Sequence, residues 1–188
     1  MLHLGVIAEI FQSPPVKRYQ NLVTGSSYPL IQSSDLANLR IEAINEKVLL
    51  NPVKAQKYLA KQGDIILSTR SSNPRASLYC LAEPGFPTQN LCVLRTTAEV
   101  SAAYLAALFR ADYGQQILKA VQHGSVQPML SVDALRNLKI PLPDSEVQAN
   151  LIALYEAYEQ TEAATKAMLN ARRDLFEGVF SCAVMEAG

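Results

Sequence analysis

Residues 138–180 combine two instructions that few folds can satisfy together. Leu138-Lys139-Ile140-Pro141-Leu142-Pro143-Asp144 is apolar and broken twice by proline, whereas residues 144–177 contain neither glycine nor proline. Each proline lacks a backbone donor and biases the residue before it toward extended backbone. Ile140 and Leu142 are therefore expected to be extended, with Ser145 placed to cap a helix. Nothing interrupts that helix before Gly178.

Along it Val147, Leu151, Leu154, Tyr158, Thr161, Thr165, Met168, Arg172, Leu175 and Val179 alternate steps of four and three, which is heptad spacing. Thr161, Thr165 and Arg172 weaken the middle of this seam, which favours packing against a similar helix over a tight autonomous coiled coil. At about 1.5 Å per residue the helix reaches roughly 50 Å, more than a domain of this size can cover by itself. It is expected to project toward a partner, with Val147, Leu151, Leu154, Tyr158, Met168, Leu175 and Val179 as the partner-facing residues.

A chain of 188 residues allows one domain of usual size and an appendage. The expected division is a globular domain over 1–143 and the helix over 144–188. With 49% apolar residues and 18% charged ones, a sizeable core is expected and disorder is not. Cys80, Cys92 and Cys182 are odd in number and too far apart for a metal knuckle, which suits a reducing compartment better than a disulfide framework. The opening Met1-Leu2-His3-Leu4-Gly5-Val6-Ile7-Ala8-Glu9 lacks a basic leader, and no stretch approaches the apolar length of a membrane span. A soluble, cytoplasmic protein with no metal is the expectation.

Formal net charge is zero, which alone argues against strong sequence-independent nucleic-acid binding, because that affinity comes from cations displacing phosphate counterions. The distribution says more. Residues 1–145 carry fourteen Lys and Arg against ten Asp and Glu, and residues 146–188 carry three against seven. The domain is mildly basic and the helix acidic.

Before the arm, the pattern predicts irregular strands followed by helices. Gln12-Ser13-Pro14-Pro15-Val16-Lys17-Arg18-Tyr19 reads as a loop presenting two adjacent cations. Tyr28-Pro29-Leu30-Ile31-Gln32, Ile65-Ile66-Leu67-Ser68-Thr69 and the segments 77–81 and 91–95 read as strands, the second launched by a turn at Gln62-Gly63-Asp64. Ser101 is expected to cap one helix running through Val121 despite Gly114, and a short helix is expected over 131–137. The fold class is α+β: a mixed-strand domain with packed helices, then one long helix.

No catalytic motif emerges. His3 and His123 stand beside no nucleophile motif, and Asp144 with Glu146 fits a helix N-terminus, where acids favour the dipole, better than a nuclease pair. There is no Gly-x-Gly nucleotide loop, no Walker lysine, and Ser13-Pro14-Pro15-Val16 lacks both the amide and the aromatic of an amino-methyltransferase tetrad. No cofactor is expected, and the chain is expected not to be an enzyme by itself.

The order of segments resembles the DNA specificity (S) subunits of type I restriction-modification systems. The resemblance rests on Leu4-Gly5-Val6-Ile7-Ala8-Glu9-Ile10, on Gly63-Asp64-Ile65-Ile66-Leu67-Ser68, on Gln89-Asn90-Leu91-Cys92-Val93-Leu94-Arg95, on Gly124-Ser125-Val126-Gln127, and on Ile140-Pro141-Leu142-Pro143 with Glu146 and Gln148. In that family a target-recognition domain and a long helix occur twice per subunit, the helices pair antiparallel, and methyltransferase subunits dock on the specificity subunit. Here the unit occurs once. The resemblance implies half a specificity subunit, which reads a bipartite site on double-stranded DNA with a second copy of itself or a related half. Two identical readers about a twofold axis would read a palindromic site. Roughly 50 Å of helix would space half-sites by something on the order of ten to fifteen base pairs.

Methylation of adenine, and any cleavage, then belong to methyltransferase and restriction subunits. Base edges in the major groove are read by Arg or Lys on guanine and Asn or Gln on adenine. Three loops carry those types: Lys17 and Arg18; Arg70, Asn73 and Arg75; and Gln122, His123, Ser125 and Gln127. Solvated loops carry the same residues, so an alternative stands beside this one: a module that no longer reads DNA and only dimerises with, or regulates, a full-length specificity subunit.

Overall fold

A computed structural model describes residues 1–20, 24–98, 100–124 and 126–186. In chain order the elements are β1 (Leu2–His3), α1 (Leu4–Ile7), β2 (Ala8–Gln12), β3 (Ser26–Ile31), β4 (Arg40–Ile41), β5 (Lys47–Leu50), α2 (Pro52–Ala55), β6 (Ile65–Ser68), β7 (Ala76–Tyr79), β8 (Phe86–Pro87), β9 (Leu91–Thr96), α3 (Ala102–Arg110), α4 (Asp112–Ala120), α5 (Val132–Arg136), β10 (Lys139–Ile140) and α6 (Ser145–Glu186). The chain is α+β, as its sequence indicates. It divides into two compact units, Met1–Ile152 and Ala153–Gly188.

The first unit is built on a five-stranded sheet of order β2-β9-β6-β7-β4, antiparallel except for the parallel β4–β7 pair. Ile65, Ile66 and Leu67 are all fully buried, so β6 lies between two packed layers. That is why it reads as a continuous apolar run and not as an alternation. Ile66 and Val93 join a cluster with Ile31, Leu36, Ile41 and Tyr79, while α3 packs against β6 and β7. Burying side chains of this size contributes about 1.5–3 kcal/mol each. A smaller sheet of order β5-β3-β8 has its own core of Val48, Leu50, Ala55, Leu59 and Phe86, on which Tyr19 and Tyr58 pack.

Two polar anchors hold the large sheet. At the entry to β6, Gly63 takes a positive φ of 91°, open to glycine without strain, and Asp64 follows it at 3% exposure. The Asp64 carboxylate accepts a bidentate pair from Arg95, at 2.9 Å from Nε and 2.7 Å from Nη2. This fork-to-fork bond fastens β9 to the turn before β6. Arg110 holds the other side of the sheet, donating from Nη1 to the Leu36, Asn38 and Ala76 carbonyls.

The helix expected from Ser101 through Val121 is two helices. Ser101 does cap the first, its hydroxyl accepting from the Tyr104 amide at 3.3 Å, but Ala111 is extended (φ −70°, ψ 154°) and α4 starts afresh at Asp112. Gly114 is the reason the chain can fold back so tightly. A Cβ there would lie 1.8 Å from the Leu108 carbonyl oxygen, a backbone atom that cannot step aside. Gln115 donates to the Phe109 carbonyl freed by the break and, at 2.7 Å, to Pro74. Gly114→Ala is expected to cost about 3 kcal/mol through overpacking, read as a lower urea midpoint with an unchanged m-value.

The chain arm follows the expectation at Ile140, and the helix start departs from it in detail. Ile140 is extended, paired with Leu2 in the antiparallel β1–β10 ladder. The cap of α6 is Asp144 and not Ser145: its carboxylate accepts from the Val147 amide at 2.9 Å, and as an anion at a helix N-terminus it also meets the dipole. Gln148, only 6% exposed, joins the start of α6 to α3, accepting from the Ser101 amide at 3.2 Å and donating to the Pro143 carbonyl at 2.9 Å. Gln148→Ala strands both partners and should cost about 1–3 kcal/mol in chemical denaturation, with Gln148→Glu recovering only the acceptor half.

The second unit is helix alone. At 42 residues α6 is about 63 Å long and runs through Gly178, where a glycine costs about 1 kcal/mol without ending the helix. Thr161 and Thr165 donate to the carbonyls of Ala157 and Thr161, satisfying their hydroxyls locally. Past Met168 the apolar surface widens beyond one seam. Leu175, Phe176, Val179 and Phe180 are all more than half exposed, and the Phe176 and Phe180 rings stack at 5.9 Å. Among the described residues no helix is long and apolar enough to cross a membrane.

Candidate nucleic-acid interface

The ladder of the large sheet decides where the loops emerge. Gln12 pairs with Cys92, Cys92 with Leu67, and Leu67 with Ala76, so one row crosses four strands. The ends of β2 and β6 and the beginnings of β7 and β9 therefore share one end of the sheet. From that end issue the segment with Lys17 and Arg18, the β6–β7 loop with Arg70, Asn73 and Arg75, and the turn of residues 88–90 that enters β9. Gln12 donates to the Gln89 carbonyl at 2.5 Å, and the Thr69 amide and hydroxyl both donate to the Asn90 carbonyl at 2.9 Å. The turn thus ties its two neighbours together.

The loop after α4 joins the same end, although it lies some fifty residues further along the chain. Arg70 bridges Met129, His123 bridges Met129 in turn, and the Leu130 amide donates to the Thr69 carbonyl at 2.8 Å. Gly124 turns this loop with φ at 93°. The half-buried Gln122 donates to the Ser71 carbonyl at 2.7 Å, so its amide nitrogen is engaged in holding the two loops together. His123 and Gln127 are exposed, and Ser125 lies outside the described residues.

Inside the β6–β7 loop the backbone is satisfied and the long side chains are left over. Ser68 Oγ accepts from the Arg75 amide at 2.7 Å and Ser71 Oγ from the Asn73 amide at 3.2 Å. Arg70, Asn73 and Arg75 are exposed, and among the described residues neither guanidinium has a hydrogen-bond or ion-pair partner. Arg95, by contrast, is committed to Asp64, and its pKa is raised by that hydrogen bond.

Lys17 and Arg18 sit apart from these two loops. They occupy a 3-10 turn, Val16–Arg18, where the sequence pattern suggested only irregular chain, and the turn is docked on the small sheet. The Asn51 amide donates to the Tyr19 carbonyl at 2.8 Å, and Tyr19 meets Tyr58 edge-on with ring centroids 5.5 Å apart. This brings the segment with Lys54 and Lys57, both exposed, to the same tyrosine pair as the turn, and the charges of Arg18 and Lys57 both act on Tyr19 and Tyr58. Tyr19, Val53, Lys54, Gln56 and Lys57 line an open pocket of about 610 Å³. The Lys57 ammonium lies 4.9 Å from the centre of the Tyr58 ring, and hydrogen bonding from Tyr19 and Lys57 lowers the Tyr58 phenol pKa. Sequence reading passed over Lys54 and Lys57. The only available signal was that residues 50–61 hold three lysines and no acid.

Neither buried thiol nor metal chemistry is evident at this end. Burial pushes the Cys92 thiol up to about 12, keeping it protonated, and among the described residues no cluster of His, Cys, Asp and Glu is arranged to hold a metal.

No curated protein matches the chain in sequence. Among solved structures it is similar to a chain from a study of complex assembly and conformational transition of the type I R-M system. Identity is 24%, with 88% of this chain and 39% of that chain covered and a TM-score of 0.62. It is also similar to the HsdS subunit from Thermoanaerobacter tengcongensis (23%, 87% and 38%, 0.62) and to the type I restriction-modification S subunit from M. genitalium (12%, 92% and 42%, 0.56). At these identities the likeness is one of fold, and the chain spans about two fifths of each neighbour's length. Residues 2–171 match the type I restriction modification DNA specificity domain, so the chain, with its loops gathered at one sheet end and its long helix, belongs to that family.

Proposed function

We propose that this chain reads a DNA sequence and performs no chemistry itself, placing an adenine methyltransferase, and with it a restriction subunit, on a bipartite site. The observation that carries the reading is the convergence of exposed Arg70 and Arg75, whose guanidiniums have no partner among the described residues, with Asn73, His123 and Gln127, at one end of the sheet of a specificity domain. Arginine forks suit guanine O6 and N7, and amides suit adenine. Gln122 also positions the loops in this reading, because one of its two amide N–H groups serves the Ser71 carbonyl. Such a complex would work in the cytoplasm.

α6 supplies the pairing surface. The seam is symmetric about Ala163, so antiparallel pairing centred there sets Leu151 against Leu175, Tyr158 against Met168 and Val147 against Val179 of a second copy. Charge favours the same orientation. Residues 146–162 carry Glu146, Glu156, Glu159 and Glu162 without a cation, whereas residues 163–180 carry Lys166, Arg172 and Arg173 against Asp174 and Glu177. Antiparallel pairing sets the acidic half against the mildly basic one, and parallel pairing sets the two acidic halves together. A related half with the same seam would serve equally. Co-expression with a methyltransferase that co-purifies with the chain, followed by mapping of methylated adenines, tests the reading. A split recurrent motif is expected, and methylation independent of this chain would oppose it. Helix pairing with no DNA preference would instead support a purely dimerising or regulatory module.

A further inference from the structure

The Lys17–Arg18 turn and the Lys54–Lys57 segment make a second cationic surface whose character differs from the reading loops. Residues 13–20 and 50–61 hold five cations and no Asp or Glu, so no acid within these segments neutralises them. Lys17, Arg18, Lys54 and Lys57 are exposed, and among the described residues none forms an ion pair. The surface is also anchored. Tyr19 is clamped between Tyr58 and Phe86, at 5.5 and 6.0 Å, and the Asn51 side chain fixes the start of α2 by accepting from the Lys54 amide at 3.1 Å.

Lysine is a strongly hydrated point charge that suits phosphate oxygens, whereas bidentate base reading belongs to arginine and amides. The reading loops carry arginine and amide side chains, and this surface carries three lysines out of four cations. The chain that leaves β2 at the loop-bearing end of the large sheet runs directly into the Lys17–Arg18 turn, so a duplex that meets the reading loops has this second surface along its path. We infer that Lys17, Arg18, Lys54 and Lys57 form a phosphate-backbone clamp for double-stranded DNA, separate from the base-reading loops, which supplies affinity without sequence preference. The inference rests on the DNA-recognition reading and divides its labour.

The test measures binding of the full chain to two duplexes, one enriched from a randomised pool and one of the same composition with its order shuffled, from 50 to 200 mM salt. The variant is Lys54→Gln/Lys57→Gln, both positions being exposed and outside the core. Two lost phosphate contacts lower the slope of log K against log salt by about 1.8. Both duplexes should weaken by the same factor, leaving the ratio between them unchanged within about twofold. An unchanged slope, or a collapse of the ratio, overturns the clamp. If the unsubstituted chain enriches no sequence at all, the recognition reading itself fails. A wild-type preference with an unchanged variant slope removes only the clamp.

Discussion

Arg70→Ala/Arg75→Ala is expected to fold as the unsubstituted chain does and to lose its choice of DNA sequence. Both side chains are exposed and their backbone contacts survive the change, since Arg75 uses its amide to reach Ser68 and Arg70 its main chain to reach Met129. A true base contact carries about 1–3 kcal/mol of discrimination. Removing two should shrink the preference for an enriched duplex over a shuffled one by on the order of 10²- to 10⁴-fold. Competition binding at fixed salt reads this directly, with circular dichroism to show that the fold is retained. The contrast with the lysine variant matters: one should lower the ratio and the other the slope. If the arginine variant weakens both duplexes equally, the guanidiniums hold phosphates and the reading residues lie elsewhere.

The second large effect falls on α6. Under antiparallel pairing about Ala163 each seam residue occurs twice, so Leu175→Asp places a charge against Leu151 at two symmetric positions. With about 2 kcal/mol or more for each lost leucine, and the burial of an unpaired carboxylate besides, self-association should weaken by 10³-fold or more. Sedimentation equilibrium of variant and parent gives the comparison. Thr165→Leu should act in the opposite sense, because it replaces a weak seam position facing Thr161 with an apolar one. A parent chain that stays monomeric at high concentration, with no partner chain present, contradicts the pairing.

What could be read from the residues alone depended on whether the signal was local. β6 was legible because doubly buried strands are continuous apolar runs, and the cap at Ser101 was legible because a hydroxyl before an apolar period is a local signature. The break at Ala111 was not, because its cause is the approach of Gly114 to Leu108, which no window of propensity contains. Asp144 and Ser145 both suit a cap, and geometry alone chose the carboxylate. At the interface the three loops could be named but not grouped. It is β-ladder register and the Gln122–Ser71 bond that gather two of them, while the tyrosine contacts carry Lys17 and Arg18 to Lys54 and Lys57. Those two lysines look in sequence like any solvated pair.

Enrichment of duplexes from a randomised pool by the purified chain tests the central claim most directly. The account predicts two short identical half-sites in inverted orientation, separated by a spacer of fixed length and free sequence, because two copies paired through α6 present the same loops about a twofold axis. Recovery of sequences with no common motif, at affinities that depend on salt alone, would contradict it.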